Sequence, residues 1–348
     1  MKLHSFLLFL LAMFSCYAQQ DIHTIPAPKI LKNEFLFTEG SCFKQCHAST
    51  IVQAANGQLL AGWFGGPHEG SPEVVIWGIR SEGKKWTQPE VWADGRINDS
   101  LRYPCWNPVL FRAKDEKTVY LYYKVGPNPR EWWGMVKTSE DNGKTWNRAK
   151  RLPDSVLGPI KNKPVELPGG DIISPSSREL TENRWTAHVE ISRDHQQTWN
   201  AYPIDPSSKF NVIQPSILMH RDGSLQVLCR SKEGVVATSW SKDSGKSWSE
   251  LSATHLANPN SGTDAISYKD FFLIVYNPEL PGKEWWEGRT KLRLSYSYNG
   301  IDWKDLLSLE DEQKGEFSYP TIFKDKKGLV HITYTYNRVN IRHWVLKF

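Results

Sequence analysis

Short apolar strands recur along this sequence, and a turn and a second strand follow each of them. The stretches show little of the 3.6-residue spacing that is typical of helices. Turn residues are frequent, with 21 prolines and 24 glycines, and 16 tryptophans accompany them. Six such units occupy residues 47–63, 107–124, 163–174, 214–230, 264–276 and 319–334. The pattern predicts an all-β chain built from six similar units.

A polar turn motif follows five of these units. It reads SEDNGKTW at residues 139–146 and returns as SKDSGKSW at 241–248, while the copy at 192–199 has lost only its glycine. Shortened relatives stand at 297–303 and 81–86. The closing tryptophans are spaced by roughly 50 residues, and a period of that length indicates a repeat architecture.

Each copy of the motif has the chemistry of a tight β-turn. Asp and Ser side chains hydrogen-bond nearby backbone amides, and Gly or Asn adopts the left-handed conformation that the turn needs. The Thr or Ser and the Trp then begin a strand. We therefore predict that each motif closes a β-hairpin, with Trp146 and Trp248 as buried anchors.

The five motifs together resemble the Asp-box, or bacterial neuraminidase repeat, of sialidase-like β-propellers. The resemblance spans nearly the whole chain after residue 18, and it implies an all-β, six-bladed β-propeller of the sialidase type with four strands in each blade. The last unit has no motif after it, and the chain ends at Phe348. Residues 22–31 are expected to supply the missing outer strand, so that the two ends of the chain close the ring.

Residues 1–18 have the composition of a secretion signal. Lys2 precedes an apolar run at residues 6–14, and the small residue Ala18 precedes the polar Gln19. The run is too short to span a bilayer. We therefore expect a signal peptide at 1–18, a single propeller domain at 19–348, and a secreted or periplasmic protein without a membrane span.

Charge and cysteine content narrow the classes of partner and cofactor. The formal net charge is only +5 and the basic residues are dispersed, which gives little support to nucleic-acid binding. No CxxC pair, metal-ligand spacing or nucleotide-binding loop is present, so the sequence implies no metal and no cofactor. Cys42 and Cys46 can form a disulfide in an oxidising compartment, and free buried thiols are the alternative. We expect a monomer.

The starts of the six inner strands are expected to surround one central funnel, because the first strand of each propeller blade lies nearest the axis. Polar or ionisable side chains at so many equivalent positions are hard to explain by packing alone. The alternative is that they cap the ends of the blades by hydrogen bonding. The predicted ring consists of His47, Asn107, Lys163, Gln214, Asp264 and Tyr319.

The resemblance also implies an arginine triad that binds a carboxylate. The family has its first arginine ten residues before the turn glycine of blade one, and counting back from Gly57 gives His47, so that arginine is replaced. The second follows the blade-four glycine by seven residues, and Gly223 leads to Arg230. The third corresponds to Arg289 in a looser alignment. The resemblance therefore implies a carboxylate site with one altered member.

The reacting groups implied by the resemblance are a tyrosine nucleophile, its glutamate partner and an acid. The nucleophile lies nine residues before the last turn glycine, which gives Tyr319. The glutamate position holds Gln214, and a neutral amide cannot take the phenol proton. The acid belongs to the blade-one loop at residues 65–70, where Glu69 or His68 is the candidate and a solvated surface role for Glu69 is the alternative.

Further residues are expected on the same rim. Arg102, Tyr103 and Lys163 precede blades two and three, and cationic groups there suit an acidic ligand. The tryptophan pairs at 132–133 and 285–286 lie in loops between strands, where they can stack on sugar rings or pack between blades.

These features favour an enzyme acting on the terminal acidic sugar of an oligosaccharide or polysaccharide. The leading hypothesis is a sialidase-like glycoside hydrolase with Glu69 or His68 as acid, Tyr319 as nucleophile and Arg230 on the carboxylate. The first alternative is a lyase or dehydratase that acts on a uronic acid by β-elimination, with His47 and Tyr319 transferring protons. The second is a non-catalytic glycan-binding propeller.

Overall fold

A computed structural model describes residues 24–40, 42–114, 116–207, 209–284 and 286–348. The expected signal peptide at 1–18 lies outside the described residues. Within them the secondary structure consists of strands, and no helix is long and apolar enough to cross a membrane.

The strands form six antiparallel sheets, one for each blade. The first strand, β1 (Lys29–Phe35), belongs to the last blade. Blade one contains β2 (Gln45–Gln53), β3 (Leu59–Gly66), β4 (Val75–Glu82), β5 (Lys85–Trp86) and β6 (Glu90–Ala93). Blade two contains β7 (Cys105–Phe111), β8 (Val119–Val125), β9 (Trp133–Ser139) and β10 (Lys150–Arg151). Blade three contains β11 (Val165–Glu166), β12 (Ile172–Thr181), β13 (Arg184–Ser192) and β14 (Asn200–Pro203).

The remaining three blades follow the same order from the axis outwards. Blade four contains β15 (Val212–Met219), β16 (Leu225–Ser231), β17 (Val235–Ser241) and β18 (Ser252–Ala257). Blade five contains β19 (Asp264–Tyr268), β20 (Phe271–Tyr276), β21 (Lys291–Ser297) and β22 (Lys304–Asp311). Blade six contains β23 (Phe317–Lys324), β24 (Val330–Tyr336), β25 (Asn340–Lys347) and β1. The predicted six-bladed, all-β propeller is confirmed.

Two details of the prediction need correction. Blade one has five strands rather than four, because β5 pairs with the end of β4 and β6 pairs with its middle. The closing strand β1 pairs antiparallel with β25, from Lys29 opposite Lys347 to Phe35 opposite Arg342. It therefore lies later than the predicted segment 22–31, whose first two residues are outside the described part of the chain.

The apolar core lies between the blades. Six buried clusters occur among the described residues, and each fills the interface of two neighbouring sheets. The interface of blades six and one, for example, packs Ile341 of β25 against Trp63 and Ile79 of blade one. Burying so much apolar surface between blades fixes the ring and the strand ends that surround the axis.

The turn motifs have the hydrogen bonding that was predicted. Asp141 accepts hydrogen bonds from Ser139 Oγ at 2.8 Å, from the Thr145 amide at 2.9 Å and from Thr145 Oγ1 at 2.7 Å. These bonds from Thr145 hold the pKa of Asp141 at about 2. Trp146 and Trp248 are half-buried against neighbouring cores rather than fully buried, which corrects the prediction for these two anchors.

Candidate functional site

One face of the ring gathers the starts of the inner strands and the ends of the second strands. The turn motifs follow the third strands and therefore lie at the opposite face. At the first face four of the inner strands, β2, β7, β15 and β23, bulge, because two residues of each are skipped in the pairing with the second strand. The first skipped residue has a positive φ of 57° at Ala48, 40° at Asn107, 55° at Gln214 and 52° at Tyr319. Bulges of this kind redirect side chains.

The bulges correct the predicted alignment of the ring. In blade one the left-handed residue is Ala48, so His47 occupies the preceding, paired position. In blade three Lys161 has the positive φ of 67°, two residues before the predicted Lys163. A Pro follows the left-handed residues Asn107, Gln214 and Tyr319 in the sequence, whereas Ser49 follows Ala48, so the bulge of blade one lacks that mark.

Three of the predicted residues lie against Tyr319, two at its hydroxyl group and one at its ring. Arg230 Nη1 donates to Tyr319 Oη at 2.6 Å, and Gln214 Nε2 lies 3.5 Å from the same oxygen. The His47 ring packs against the Tyr319 ring with 4.1 Å between centroids. Blade four therefore brings a guanidinium and an amide, and blade one an imidazole, to the phenol of blade six.

Two linking residues join three arginines into one network. Asn260 accepts from Arg230 Nε at 2.8 Å through its side chain and from Arg289 Nη2 at 3.2 Å through its carbonyl. Glu316 then pairs with Arg289 Nη1 at 3.1 Å and with Arg338 Nε at 2.7 Å. The predicted Arg230 and Arg289 thus lie in one site, and Arg338 adds a third guanidinium.

Arg338 was missed by sequence reasoning. It lies in the tight turn between β24 and β25, with a φ of 57°, and no motif or spacing marks that turn. Arg338 Nη1 also pairs with Glu69 at 2.5 Å. Glu69 therefore joins the site through an ion pair. His68 is exposed, and its Nδ1 lies 3.1 Å from the backbone carbonyl oxygen of Glu69.

His47 is a neutral imidazole near neutral pH. Burial lowers its pKa well below 6.5, and the positive charges of Arg338, Arg289, Arg230 and Lys161 lower it further. Its Nδ1 is buried without a hydrogen-bond partner among the described residues. A neutral imidazole can accept a proton, and it cannot replace the charge of an arginine.

Asp264 and two lysines form the floor of the site around the axis. Asp264 accepts from Lys163 Nζ at 2.8 Å, from the Ile322 amide at 2.9 Å and from Ser216 Oγ at 3.2 Å, so it ties neighbouring blades together. Lys161 Nζ donates to two backbone carbonyls, of Thr263 at 2.6 Å and Pro320 at 2.5 Å. Burial lowers the pKa of Lys161 to about 7.

The predicted residues of blade two do not join the Tyr319 cluster. Tyr103 packs edge-to-face on Trp133 with 5.6 Å between centroids, and Arg102 pairs with Arg96 through a backbone bridge. Asn107 is buried at its bulge. Within the described part of the chain, none of these contacts reaches Tyr319.

Trp185, which lies outside the two expected tryptophan pairs, faces the cationic side chains of the site. Trp185, at the start of β13, has Arg230 Cζ 5.3 Å and Lys232 Nζ 4.3 Å from its ring centre. Trp132 packs near Trp106 at 6.1 Å, which favours its packing role. Trp286 is 49% exposed, and its neighbour at 285 lies outside the described residues.

The four cysteines that the structure describes are free thiols. Cys42 is an exposed free thiol, and Cys46, Cys105 and Cys229 are buried free thiols, as in the second alternative given by the sequence. Among the described residues no group of three or more His, Cys, Asp or Glu side chains is arranged to hold a metal ion.

Comparisons with known proteins agree with this architecture. A family model described as a BNR repeat-like domain matches residues 57–332. A sialidase of Bacteroides fragilis (strain YCH46) is 22% identical over 239 residues, which are 60% of this chain and 42% of that protein. The chain thus spans less than half the length of this curated relative.

Two solved structures show how widely the fold is shared. The Hadza microbial sialidase Hz136 superposes with a TM-score of 0.75 at 17% identity, over 91% of this chain and 68% of that one. A protein of unknown function from Dyadobacter fermentans superposes with a TM-score of 0.74 at 17% identity, over 93% of this chain and 100% of that one. The chain belongs to the BNR repeat-like family, as a divergent sialidase-like member.

Proposed function

We propose that this protein is an exo-acting, sialidase-like glycoside hydrolase that recognises a terminal acidic sugar by its carboxylate. The observation behind the proposal is the 2.6 Å hydrogen bond from Arg230 to the Tyr319 hydroxyl, with Arg289 and Arg338 joined to the same network. A cationic pocket with a reactive phenol at its centre suits a ligand that carries both a carboxylate and a glycosidic bond.

The carboxylate is bound chiefly by arginine side chains. Arginine presents a planar fork of donors, which matches the two oxygens of a carboxylate. His47 stands where the resemblance places the first arginine, and as a neutral ring it offers at most one donor. Simple sialosides are therefore expected to be poor substrates compared with a sugar whose carboxylate lies nearer Arg230 and Arg289.

Tyr319 acts as the nucleophile in this proposal. Its Oη bonds to the anomeric carbon as the bond to the leaving oxygen breaks, and Arg230 stabilises the charge on the phenol oxygen. The neutral imidazole of His47 accepts the phenol proton that Gln214 cannot take. Water then cleaves the bond between Tyr319 and the sugar, and the proton returns from His47.

Elimination from a uronic acid is the second candidate, favoured by the same neutral imidazole. A β-elimination needs a base for the proton beside the carboxylate, and His47 against the Tyr319 ring meets that need. Replacement of the usual glutamate by Gln214 does not impair such chemistry.

Incubation with a panel of acidic oligosaccharides, read by mass spectrometry and ultraviolet absorbance, tests the proposal. Hydrolysis adds one water to the products, whereas elimination yields an unsaturated sugar that absorbs in the ultraviolet. Tyr319→Phe is expected to abolish hydrolysis while the fold is kept. Wild-type protein that binds the panel without altering it would identify a glycan-binding module instead and would contradict the proposal.

A secreted or periplasmic location suits such a substrate. That inference depends on residues 1–18 and remains a prediction. Analysis of the mature N-terminus of the exported protein would test it, and a mature chain that retains residues 1–18 would contradict it.

A further inference from the structure

The carboxyl groups of Glu69 and Glu179 differ in their partners. Glu69 forms a 2.5 Å ion pair with Arg338, and Glu316 holds the other side of the same guanidinium at 2.7 Å. A carboxylate bonded to a guanidinium at this distance is already engaged in a charge-assisted pair. Glu69 therefore anchors the blade-one loop to blade six, and the proton donor has to be another group.

Glu179 lies near the end of β12, the second strand of blade three. Arg230 lies at the corresponding end of β16, the second strand of blade four, so both residues belong to the funnel face. Ser177, two positions before Glu179, accepts a hydrogen bond through its Oγ from the backbone amide of Gln214 at 3.2 Å. Residues two apart in a strand share a face, and Glu179 is therefore on the side of the sheet that faces Gln214.

Cross-strand pairing gives the same direction independently. Glu179 pairs with Trp185 of β13, and directly paired residues of antiparallel strands present their side chains on the same face. The Trp185 ring lies 5.3 Å from Arg230 Cζ, and Arg230 is bonded to Tyr319. The carboxyl group of Glu179, the indole and the guanidinium consequently share one wall of the site.

The surroundings of Glu179 suit a group that holds a proton. Burial raises its pKa, and the charge of Glu69 acts in the same direction. The charges of Arg230, Lys232 and Arg130 oppose this effect and keep the carboxyl able to ionise. Glu179 forms no salt bridge within the described part of the chain, in contrast with Glu69.

We propose that Glu179 is the general acid of this site and delivers the proton to the leaving oxygen of the glycoside. The inference depends on the proposed hydrolase function. As the bond from the anomeric carbon breaks, its electron pair remains on the leaving oxygen, which takes the proton of Glu179. The attacking water later gives one proton to the Glu179 carboxylate and its hydroxyl to the sugar, so that one water is consumed and Glu179 is regenerated.

Dependence on the leaving group tests this role. The probes are 4-nitrophenyl and methyl glycosides of glucuronic acid, galacturonic acid and N-acetylneuraminic acid, since nitrophenolate departs without a proton and methoxide does not. Glu179→Gln is expected to lower kcat/KM on the turned-over methyl glycoside roughly 100- to 10,000-fold. The loss on the matching nitrophenyl glycoside should be far smaller. The variant should also lose the alkaline limb of the pH profile.

Two matched variants make the result decisive. Glu182→Gln changes an exposed carboxylate on the same hairpin and should behave as wild type. Glu69→Gln should lower kcat/KM by the same factor on the methyl and the nitrophenyl glycoside, because it breaks the ion pair that holds Arg338. Equal losses on both probes in Glu179→Gln, or the leaving-group pattern in Glu69→Gln, would overturn the assignment of Glu179. Wild-type protein inert towards every probe would instead overturn the hydrolase proposal.

Discussion

In the proposed mechanism Arg230 both binds the carboxylate and stabilises the phenol oxygen, and in the structure its guanidinium donates to Asn260 and to the Tyr319 hydroxyl. Arg230→Lys keeps the charge but loses the planar fork of donors. We expect KM for the turned-over acidic glycoside to rise roughly 10- to 100-fold, equivalent to the loss of one charge-assisted hydrogen bond. Arg193→Lys, at an exposed ion pair with Asp171 on the opposite face, is the matched control. An unchanged KM in Arg230→Lys would place the carboxylate elsewhere.

His47 sets the expected acid limit of the reaction. A proton acceptor has to be neutral, and burial together with the neighbouring arginines lowers the pKa of His47 well below 6.5. Activity should therefore persist to pH values well below 6.5 rather than fall near the ordinary histidine pKa. The measurement is kcat/KM against pH for wild type, with His47→Gln as the variant expected to lose the acid limb and most of kcat. An acid limb centred near 6.5 would show that the ring is not shielded as described.

At the residue scale, the turn glycines gave a fixed origin for counting along the sequence. Tyr319, Arg230 and Gln214 were placed in this way, and the structure brings them together. Glu179 and Arg338 were missed, because neither has a motif nearby and their neighbours in the funnel belong to other blades: Glu179 lies on the wall that Trp185 shares with Arg230, and Arg338 pairs with Glu69. Such long-range convergence leaves no local pattern.

At the scale of elements, the turn motifs stabilise blades without touching the funnel. Trp303 is buried, with 6% of its surface exposed, whereas Trp146 is half-buried. Trp303→Ala should lower the free energy of unfolding by roughly 3–5 kcal/mol, and Trp146→Ala by less. Urea unfolding gives these values, and the ratio of rates on two acidic glycosides should stay the same in both variants. A changed substrate ratio in the folded variants would contradict the separation of motif and site.

The same elements show what a repeat pattern can and cannot predict. The motif predicted each hairpin turn because its hydrogen bonds are local, from Asp141 to Thr145 for instance. The pattern placed the closing strand too early, since β1 is an exposed edge with the polar sequence KILKNEF and is selected only by its pairing with β25. The additional strand β6 was also missed, and it too is recognised by its pairing, in this case with β4.

At the scale of the whole molecule, the ring closes where β1 pairs with β25. Successive side-chain contacts run from β1 across this pairing into blade six. Glu34 of β1 lies 3.3 Å from His343 Nδ1, and His343 Nε2 lies 3.1 Å from His331 Nδ1. His331 Nε2 lies 3.4 Å from Asp325. Two stacked, buried imidazoles therefore stand beside the seam that joins the two ends of the propeller.

Protonation of this pair should weaken the closed ring in mild acid. Burial, and then the charge of His343, lowers the pKa of His331 to about 4, while Lys32 adds to this effect and Asp325 opposes it. The unfolded chain binds a proton near pH 6.5 and the folded chain only near 4, so stability is complete above 6.5 and is lost as the pH falls between these values. The loss attributable to His331 is on the order of 2 kcal/mol at pH 5.

Urea unfolding of wild type and His331→Gln at pH 7 and pH 5 isolates that contribution. His331→Gln removes the titrating ring, so its stability should fall less between the two pH values than that of wild type. His255→Gln is the matched control, because His255 contacts the Trp303 carbonyl at 3.1 Å in a part of the ring away from the seam. If His331→Gln and wild type lose the same stability from pH 7 to pH 5, protonation of the buried His331 does not control the closure.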